Sequence, residues 1–169
     1  MASKPQTRGV LFVHSSPRAL APHIEWAVGR ALGRGIHLDW RSQPAQRGSL
    51  RAEYFWQGSY GAGSAMASAL HGWGDVRYEI TEDPTQFTDG SRWMHTPDLG
   101  VFHAQTDTAG NVVVGENVLR AAMDGAGMNP VELHRELRLA LGQEWDDELE
   151  PFRYASDENP VVWIHSSVG

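Results

Sequence analysis

The sequence predicts an α+β fold: a ferredoxin-like βαββαβ N-terminal half, with a C-terminal β-hairpin, helices and a final strand packed on it. Two observations predict this class. Short apolar or alternating runs, which are typical of strands, are interleaved with segments whose apolar residues recur at helical spacing. In residues 9–82 the order of these segments is strand, helix, strand, strand, helix, strand, which is the split βαβ arrangement.

The first strand and helix are the stretch around which the chain is organised. Residues 10–13 are four consecutive apolar residues, so we expect a buried strand that ends at His14. Ser16 stands directly before Pro17, a pattern typical of a helix N-cap followed by proline at the first helical position. The helix is then expected over residues 17–32, because its apolar residues form one stripe.

The other elements of the N-terminal half are a hairpin, a helix and a strand. Residues 36–40 alternate apolar and polar side chains, and a polar loop joins them to a second strand at residues 50–57. A helix of small residues is expected at 65–73, where it can lie close to the sheet. Residues 76–81 alternate again and complete the pattern.

The C-terminal half begins after a turn-rich connection. Residues 82–98 show little periodicity, and Trp93 is expected to be exposed there. Residues 100–106 and 111–115 are expected to form a second hairpin, with Gly110 in its turn. Three short helices are expected next, at 116–124, from Asn129 onwards and at 143–152. A last strand is expected at 161–165.

These segments are expected to form one domain. Residues 1–8 are polar and are expected to be a disordered tail, so the domain is residues 9–169. Within it, residues 99–169 are expected to cover the sheet face of the ferredoxin-like half.

Composition limits the possible functions. The 169 residues carry a net charge of −7, which disfavours binding to nucleic acid or to an anionic membrane. The absence of cysteine excludes disulfides, thiolate zinc sites and cysteine nucleophiles. With no secretory signal and no apolar run long enough for a bilayer, we expect a cytoplasmic protein.

The candidate ligand site lies where the first strand meets the first helix. His14, Ser15 and Ser16 follow the strand, and the N–H groups of the first helical turn can bind an anion or a carbonyl. The last strand ends in the same way, at His165 and Ser166, so the two endings are predicted to line one shared edge. The alternative is that these residues only terminate strands and cap the helix.

A candidate protein-binding surface is the acidic face of the last predicted helix. Glu144, Asp147 and Glu148 belong to this face, which would attract a basic partner. The alternative is an ordinary solvated helix face.

Metal, cofactor and catalytic sites are weakly indicated. His95, Asp98 and His103 lie close in sequence, but their spacing matches no helix-borne metal pair, so no metal or cofactor is expected. Ser15 or Ser16 with His14 leaves a serine- or histidine-dependent enzyme open, although no nucleophile elbow is present.

An RNA-binding module is the other alternative. Phe12 on the first strand and residues 54–56 on the third stand where RNA-recognition modules place stacking aromatics. Nucleic acid is nevertheless disfavoured, because the chain is acidic and lacks a basic, glycine-bearing third-strand motif. These aromatics are expected to be core residues covered by the C-terminal helices.

Several stretches carry a resemblance to a known family. They are Val-His-Ser-Ser-Pro at 13–17, Pro-His-Ile-Glu-Trp-Ala at 22–27, Ile-Thr-Glu-Asp-Pro at 80–84, His-Thr-Pro-Asp-Leu-Gly at 95–100, Gly-Glu-Asn-Val-Leu-Arg at 115–120 and Trp-Asp-Asp-Glu-Leu-Glu-Pro at 145–151. The chain resembles uncharacterised actinobacterial proteins that contain a domain of unknown function. The resemblance implies no reaction, ligand or partner. From the residues, the expected function is that of a non-enzymatic binding or regulatory module acting through a protein partner or a small ligand.

Overall fold

A computed structural model describes residues 5–155, which form a seven-stranded antiparallel sheet and five α-helices. The strands are β1 (Gln6–Pro17), β2 (Arg41–Ser42), β3 (Ser49–Ser59), β4 (Arg77–Glu82), β5 (Gly90–Thr96), β6 (Gly100–Thr106) and β7 (Val112–Val113). The helices are α1 (Ala21–Leu32), α2 (Ala62–Leu70), α3 (Glu116–Ala126), α4 (Pro130–Ala140) and α5 (Gln143–Tyr154). The α+β class is therefore confirmed. None of the helices within residues 5–155 is long and apolar enough to cross a membrane.

The strand order is β2-β3-β1-β4-β5-β6-β7. β1 pairs with β3 on one side and with β4 on the other, so the first strand lies inside the sheet. The specific ferredoxin-like arrangement is not confirmed, because the sheet does not stop at β4. The C-terminal hairpin strands extend the sheet edge to edge, and the prediction that they cover its face is wrong.

The inner face of the sheet, defined here as the face covered by α1 and α2, is an apolar core. Leu11 and Val13 of β1 alternate onto this face, as do Tyr78 and Ile80 of β4. Trp56 of β3 joins them and is almost fully buried. Small residues in α2 let that helix lie close to the strands, as the sequence predicts; the ring of Trp93 is so near Gly63 that a side chain there would collide with it.

The outer face, which is the opposite face of the same sheet, is covered in part by α5. Leu149 of α5 packs against Met94 of β5 and Phe102 of β6 in a second, smaller apolar cluster. Leu149 and Phe152 are buried, so the side of α5 that carries them faces the sheet. α3 and α4 pack chiefly on each other, and α4 continues into α5.

β5 replaces the turn-rich connection predicted at 82–98. Its residues alternate between the faces, with Trp93 on the inner face and Met94 on the outer face, and both are buried. The prediction of an exposed Trp93 is therefore wrong. The second hairpin is confirmed, although short, since Gln105 and Thr106 of β6 pair with β7.

Residues 36–40 do not form the predicted strand. Leu38 is buried, as the alternation of apolar and polar residues indicates. However, its backbone is bonded by a side chain and not by a neighbouring strand. Glu25 of α1 accepts hydrogen bonds from the Leu38 N–H at 2.9 Å and the Trp40 indole at 3.0 Å. The segment therefore packs against α1, and pairing with β3 on this side begins at β2, directly after it.

The first helix starts later than predicted, and Ser16 does not cap it. β1 begins at Gln6, within the predicted tail, and continues through Pro17, so that α1 starts at Ala21 after one 3-10 turn. The Ser16 hydroxyl donates to the Pro17 carbonyl at 3.0 Å. Asn129, by contrast, caps α4 as predicted, because its side chain accepts from two backbone N–H groups.

The predicted last strand at 161–165 lies outside the described residues. The same holds for His165 and Ser166.

Candidate functional site

The outer face contains a cavity of about 660 Å³ between β1, β3 and the C-terminal end of α5. We call it the outer-face groove. It is lined by Phe12, Val13, His14, Asp39, Arg41, Arg51, Ala52, Glu53, Phe55, Glu79, Phe152, Arg153 and Tyr154. Of the predicted ligand residues, His14 lies in this groove.

Strand alternation places His14 there, two residues after Phe12, and a bulge in β1 follows. The pairing of β1 with both neighbours shifts register after Val13, so the bulge begins at His14. The imidazole stacks on Phe12, with ring centroids 5.6 Å apart and the planes within 3°. Its Nε2 lies 2.8 Å from Glu79 Oε1, and its carbonyl, freed by the bulge, accepts from Gln43 Nε2 at 2.7 Å.

Glu79 is the centre of a charged cluster that we call the outer-face ion cluster. Arg153 Nε donates to Glu79 Oε1 at 2.5 Å, and Arg92 donates to Oε2 at 3.0 Å. Both arginines also bind Asp146 of α5, at 2.8 and 2.7 Å. With His14, the cluster joins β1, β4, β5 and α5.

The ion cluster keeps Glu79 ionised. Burial alone would raise the pKa of Glu79, but hydrogen bonds from His14 and Arg153, with their positive charge, lower this pKa well below its usual range. Burial would likewise lower the pKa of Arg153, but its bonds to Glu79 and Asp146 raise it. The floor of the groove is thus a fixed, paired set of charges.

The C-terminal end of α5 forms one wall of the groove and is held by polar contacts. Gln43 Nε2, besides its bond to His14, donates to the Phe152 carbonyl at 3.3 Å. Arg51 of β3 donates to the carbonyl of Ala155. Arg77 lies over the Phe152 ring, 4.5 Å from its centroid. These contacts fix the position of the C-terminal end of α5.

Ser15 and Ser16 do not join His14 in the groove. Both are fully buried, and Arg77 donates to the Ser15 hydroxyl at 3.3 Å. The three residues that the sequence groups together therefore do not form one site. The sequence analysis did not identify Glu79 as a site residue. It lies between the apolar Tyr78 and Ile80, so strand alternation could have placed its carboxylate on the outer face.

The predicted acidic surface of α5 is partly used within the chain. Glu144 Oε1 accepts from Arg138 Nε at 3.0 Å, and Asp147 accepts from the same guanidinium at 2.6 Å. Glu148 lies near enough to Arg77 to raise its pKa, although burial outweighs this and lowers the pKa overall. Binding of a basic partner here stays a prediction.

The histidines of the weak metal candidate have other neighbours. His95 Nδ1 lies 2.6 Å from the Val76 carbonyl, and its ring stacks on Tyr78. His103 stacks on Trp93 instead. In the part of the chain that the structure describes, no group of three or more His, Asp or Glu residues is arranged to hold a metal ion.

The aromatic residues of the RNA alternative are divided between the two faces. Tyr54 and Trp56 lie on the inner face under the helices, as core residues. Phe12 and Phe55 lie on the outer face as diagonal neighbours, because Phe12 pairs with Glu53 two residues away. Phe55 is 74% exposed, and α1 and α2 rather than the C-terminal helices cover Tyr54 and Trp56, so the prediction that the C-terminal helices cover these aromatics is wrong for all three.

Comparison with known proteins gives one match. A family model described as "Protein of unknown function (DUF3145)" matches residues 10–166. No curated protein and no solved structure matches.

Proposed function

The chain belongs to the DUF3145 family of proteins of unknown function, and we propose that it is a cytoplasmic binding module whose outer-face groove takes a small organic anion with a planar ring. The predicted likeness to a domain of unknown function is confirmed. The observation that carries the proposal is the presence, in one groove, of an exposed aromatic ring and an arginine whose partner among residues 5–155 is a backbone carbonyl. The ferredoxin-like arrangement of residues 9–82 remains part of this proposal.

The ring-binding part of the groove is formed by Phe12 and Phe55. An aromatic side chain that is 74% exposed on a strand has room for another flat group. Planar groups pack on such rings in offset or edge-to-face geometry, which contributes about 0.5–1.5 kcal/mol beyond the area buried. These side chains therefore favour a ligand with a planar, apolar portion.

The anion-binding part of the groove is Arg51. Its guanidinium donates to the Ala155 carbonyl, and no carboxylate among residues 5–155 forms an ion pair with it. Arg153, in contrast, is already paired with Glu79 and Asp146. A guanidinium presents up to five donors in a planar fork, so Arg51 retains donors for a carboxylate, sulfonate or phosphate.

The same groove disfavours RNA. Glu53 and Asp39 line it beside the arginines, and Asp39 is itself bound to Arg41 at 2.8 Å. A polyanionic strand needs a continuous positive surface. A small ligand with one anionic group can reach Arg51 without approaching both carboxylates.

His165 and Ser166 remain part of the proposal. His165 follows ten residues after Ala155, whose carbonyl accepts from Arg51. Gln43 bonds both the His14 and the Phe152 carbonyls, so the end of α5 lies one side chain away from His14. Ten extended residues span up to about 33–36 Å, which is ample for His165 to return to the groove.

A histidine-dependent enzyme is a second candidate, favoured by the His14–Glu79 contact. A buried carboxylate that orients an imidazole is a common device of acid–base catalysis. However, Glu79 is shared with two arginines, and His14 is only 5% exposed. The serine-dependent form has no such support, because Ser15 and Ser16 lie outside the groove.

The binding proposal is tested with 8-anilinonaphthalene-1-sulfonate, which combines planar rings with one sulfonate. We expect saturable fluorescence enhancement at one site of the full chain, weakened about tenfold or more by Phe55→Ala or Arg51→Ala. Phe87→Ala and Arg120→Ala are the matched controls, because both side chains are exposed and lie outside the groove lining.

Unchanged near-UV circular dichroism shows that each variant keeps its tertiary packing. His165→Ala should weaken binding if the C-terminal segment takes part. Equal binding by the wild type and both groove variants would refute the proposal, as would no binding at all.

A further inference from the structure

The helical hairpin of α3 and α4 leaves most of its apolar surface open. Ala122 and Ala126 are the only buried residues of α3, and α4 has none. Both helices nevertheless carry an apolar stripe, which in α4 includes Leu133 and Leu137. Short helices of this kind obtain most of their stability from packing of that stripe.

The open apolar residues cluster on α3 and at the tip of the hairpin. They are Val118, Leu119, Met123, Met128 and Val131. We call this set the hairpin patch. Met123 is 61% exposed and Val131 is 74% exposed, although both belong to helices of two or more turns. Exposed apolar patches mark interaction sites.

We propose that the hairpin patch binds a second copy of this chain, so that two hairpins pack together around a two-fold axis as a four-helix arrangement. A two-fold interface sets one surface against itself, and an apolar patch is complementary to itself. Antiparallel helix pairs that each expose one apolar side form four-helix bundles in this way.

Charge favours a second copy over a charged partner. Residues 116–141 contain four acidic and three basic side chains. Arg120 binds Glu116 and Arg135 binds Glu132, so these charges are paired within the hairpin. Two copies, each with a net charge of −7, repel one another least where they meet through this nearly neutral element.

The size of the hairpin sets the expected affinity. Each helix has eleven residues and is thus about 16 Å long. A face one hairpin wide lies at the small end of specific interfaces, which bury about 1,200 Å² or more in total. We therefore expect reversible dimerisation in the micromolar range rather than a permanent dimer.

The test is sedimentation equilibrium of the full chain over about 1–500 µM, which brackets a micromolar Kd. Met123→Glu and Val131→Glu should each weaken dimerisation at least about tenfold, since each places a charge in the apolar contact. Phe87→Glu adds the same charge to an 80% exposed residue outside the patch and should dimerise like the wild type.

The dependence on salt separates this dimer from charge-driven association. Raising NaCl from about 0.05 to 0.5 M should strengthen an apolar dimer of two acidic chains, because it screens their repulsion. A chain that is monomeric throughout the concentration range would overturn the proposal. So would a dimer that both hairpin variants retain, or one that salt dissociates.

Discussion

The two faces of the sheet are built from the same strands but by opposite means. On the inner face, Leu11, Trp56 and Ile80 pack under α1 and α2 with almost no exposed surface. On the outer face the neighbouring residues of those strands are Phe12, Phe55 and Glu79, which meet an ion cluster and a groove.

The comparison shows how stability and binding are divided in this fold. An apolar face gains from every side chain buried, at about 25 cal/mol per Å². A paired ion cluster gains little over an apolar one, because desolvation offsets the attraction, but it holds its members in fixed positions. The inner face therefore stabilises the sheet, while the outer face positions His14 and the end of α5.

The sharpest test of this division uses two consecutive residues of β3. Trp56→Ala should lower the free energy of unfolding by about 3–5 kcal/mol, because it empties a buried site on the inner face. Phe55→Ala should change it by no more than about 0.5 kcal/mol, since its ring is largely exposed. Urea denaturation of both variants measures the two values, and similar losses would break the comparison.

The next largest effect is expected in the ion cluster. Glu79→Ala removes the buried one of the two carboxylates that Arg92 and Arg153 share, leaving Asp146, and should cost about 3 kcal/mol, as for other broken buried pairs. Glu53→Ala, an acidic residue of the same face with an exposed side chain, is the matched control and should be nearly neutral. If the two variants lost equal stability, the cluster would have no special role.

Acid should weaken the outer face through Glu79. The pKa of this group is lowered in the folded state, so the unfolded chain binds more protons as the pH falls below its ordinary value of 4.5. Its contribution is then present in full above about pH 5.5 and is lost progressively in more acidic solution. Glu79→Gln should flatten the decline of unfolding free energy between about pH 5 and 3; an unchanged slope would contradict this.

The smallest effect is expected where α4 meets α5. Arg138 binds Glu144 and Asp147, and these hydrogen bonds raise its pKa, but the group is exposed to solvent. Arg138→Ala should leave global unfolding nearly unchanged and should raise amide exchange in α4 only, because exposed pairs contribute little. Faster exchange throughout the sheet would show that the hairpin supports the outer face more than its contacts suggest.

Much of the inner face could be predicted from the sequence. The apolar run at residues 10–13 and the alternation at 76–81 identified β1 and β4, because a side chain's face is set by simple period-two geometry. The start of α4 at Asn129 could also be predicted, since helix capping is an interaction between neighbouring residues.

The outer face could not be predicted in the same way, because its contacts join residues that are far apart in sequence. Glu79 meets Arg153 across 74 positions, and Gln43 meets Phe152 across 109, so no local pattern reports either pair. The bulge that begins at His14 is a property of the pairing with β3 and β4. The strand predicted around Leu38 was wrong for a related reason. The Leu38 N–H donates to the side chain of Glu25 in α1, thirteen residues away, and not to a neighbouring strand.

The interior position of β1 has a consequence for synthesis on the ribosome. Leu11 pairs with Tyr54 on one side and with Ile80 on the other, so the strand made first stays open at one edge until β4 has emerged. At about 5–20 residues per second, the 65 residues from Pro17 to Glu82 take roughly 3–13 seconds to synthesise. During that interval the nascent chain exposes an apolar strand that no local hairpin can cover, whereas β5 and β6 pair as soon as they appear. The time of greatest risk of aggregation is thus set early in translation, and it ends when the fourth strand closes the centre of the sheet.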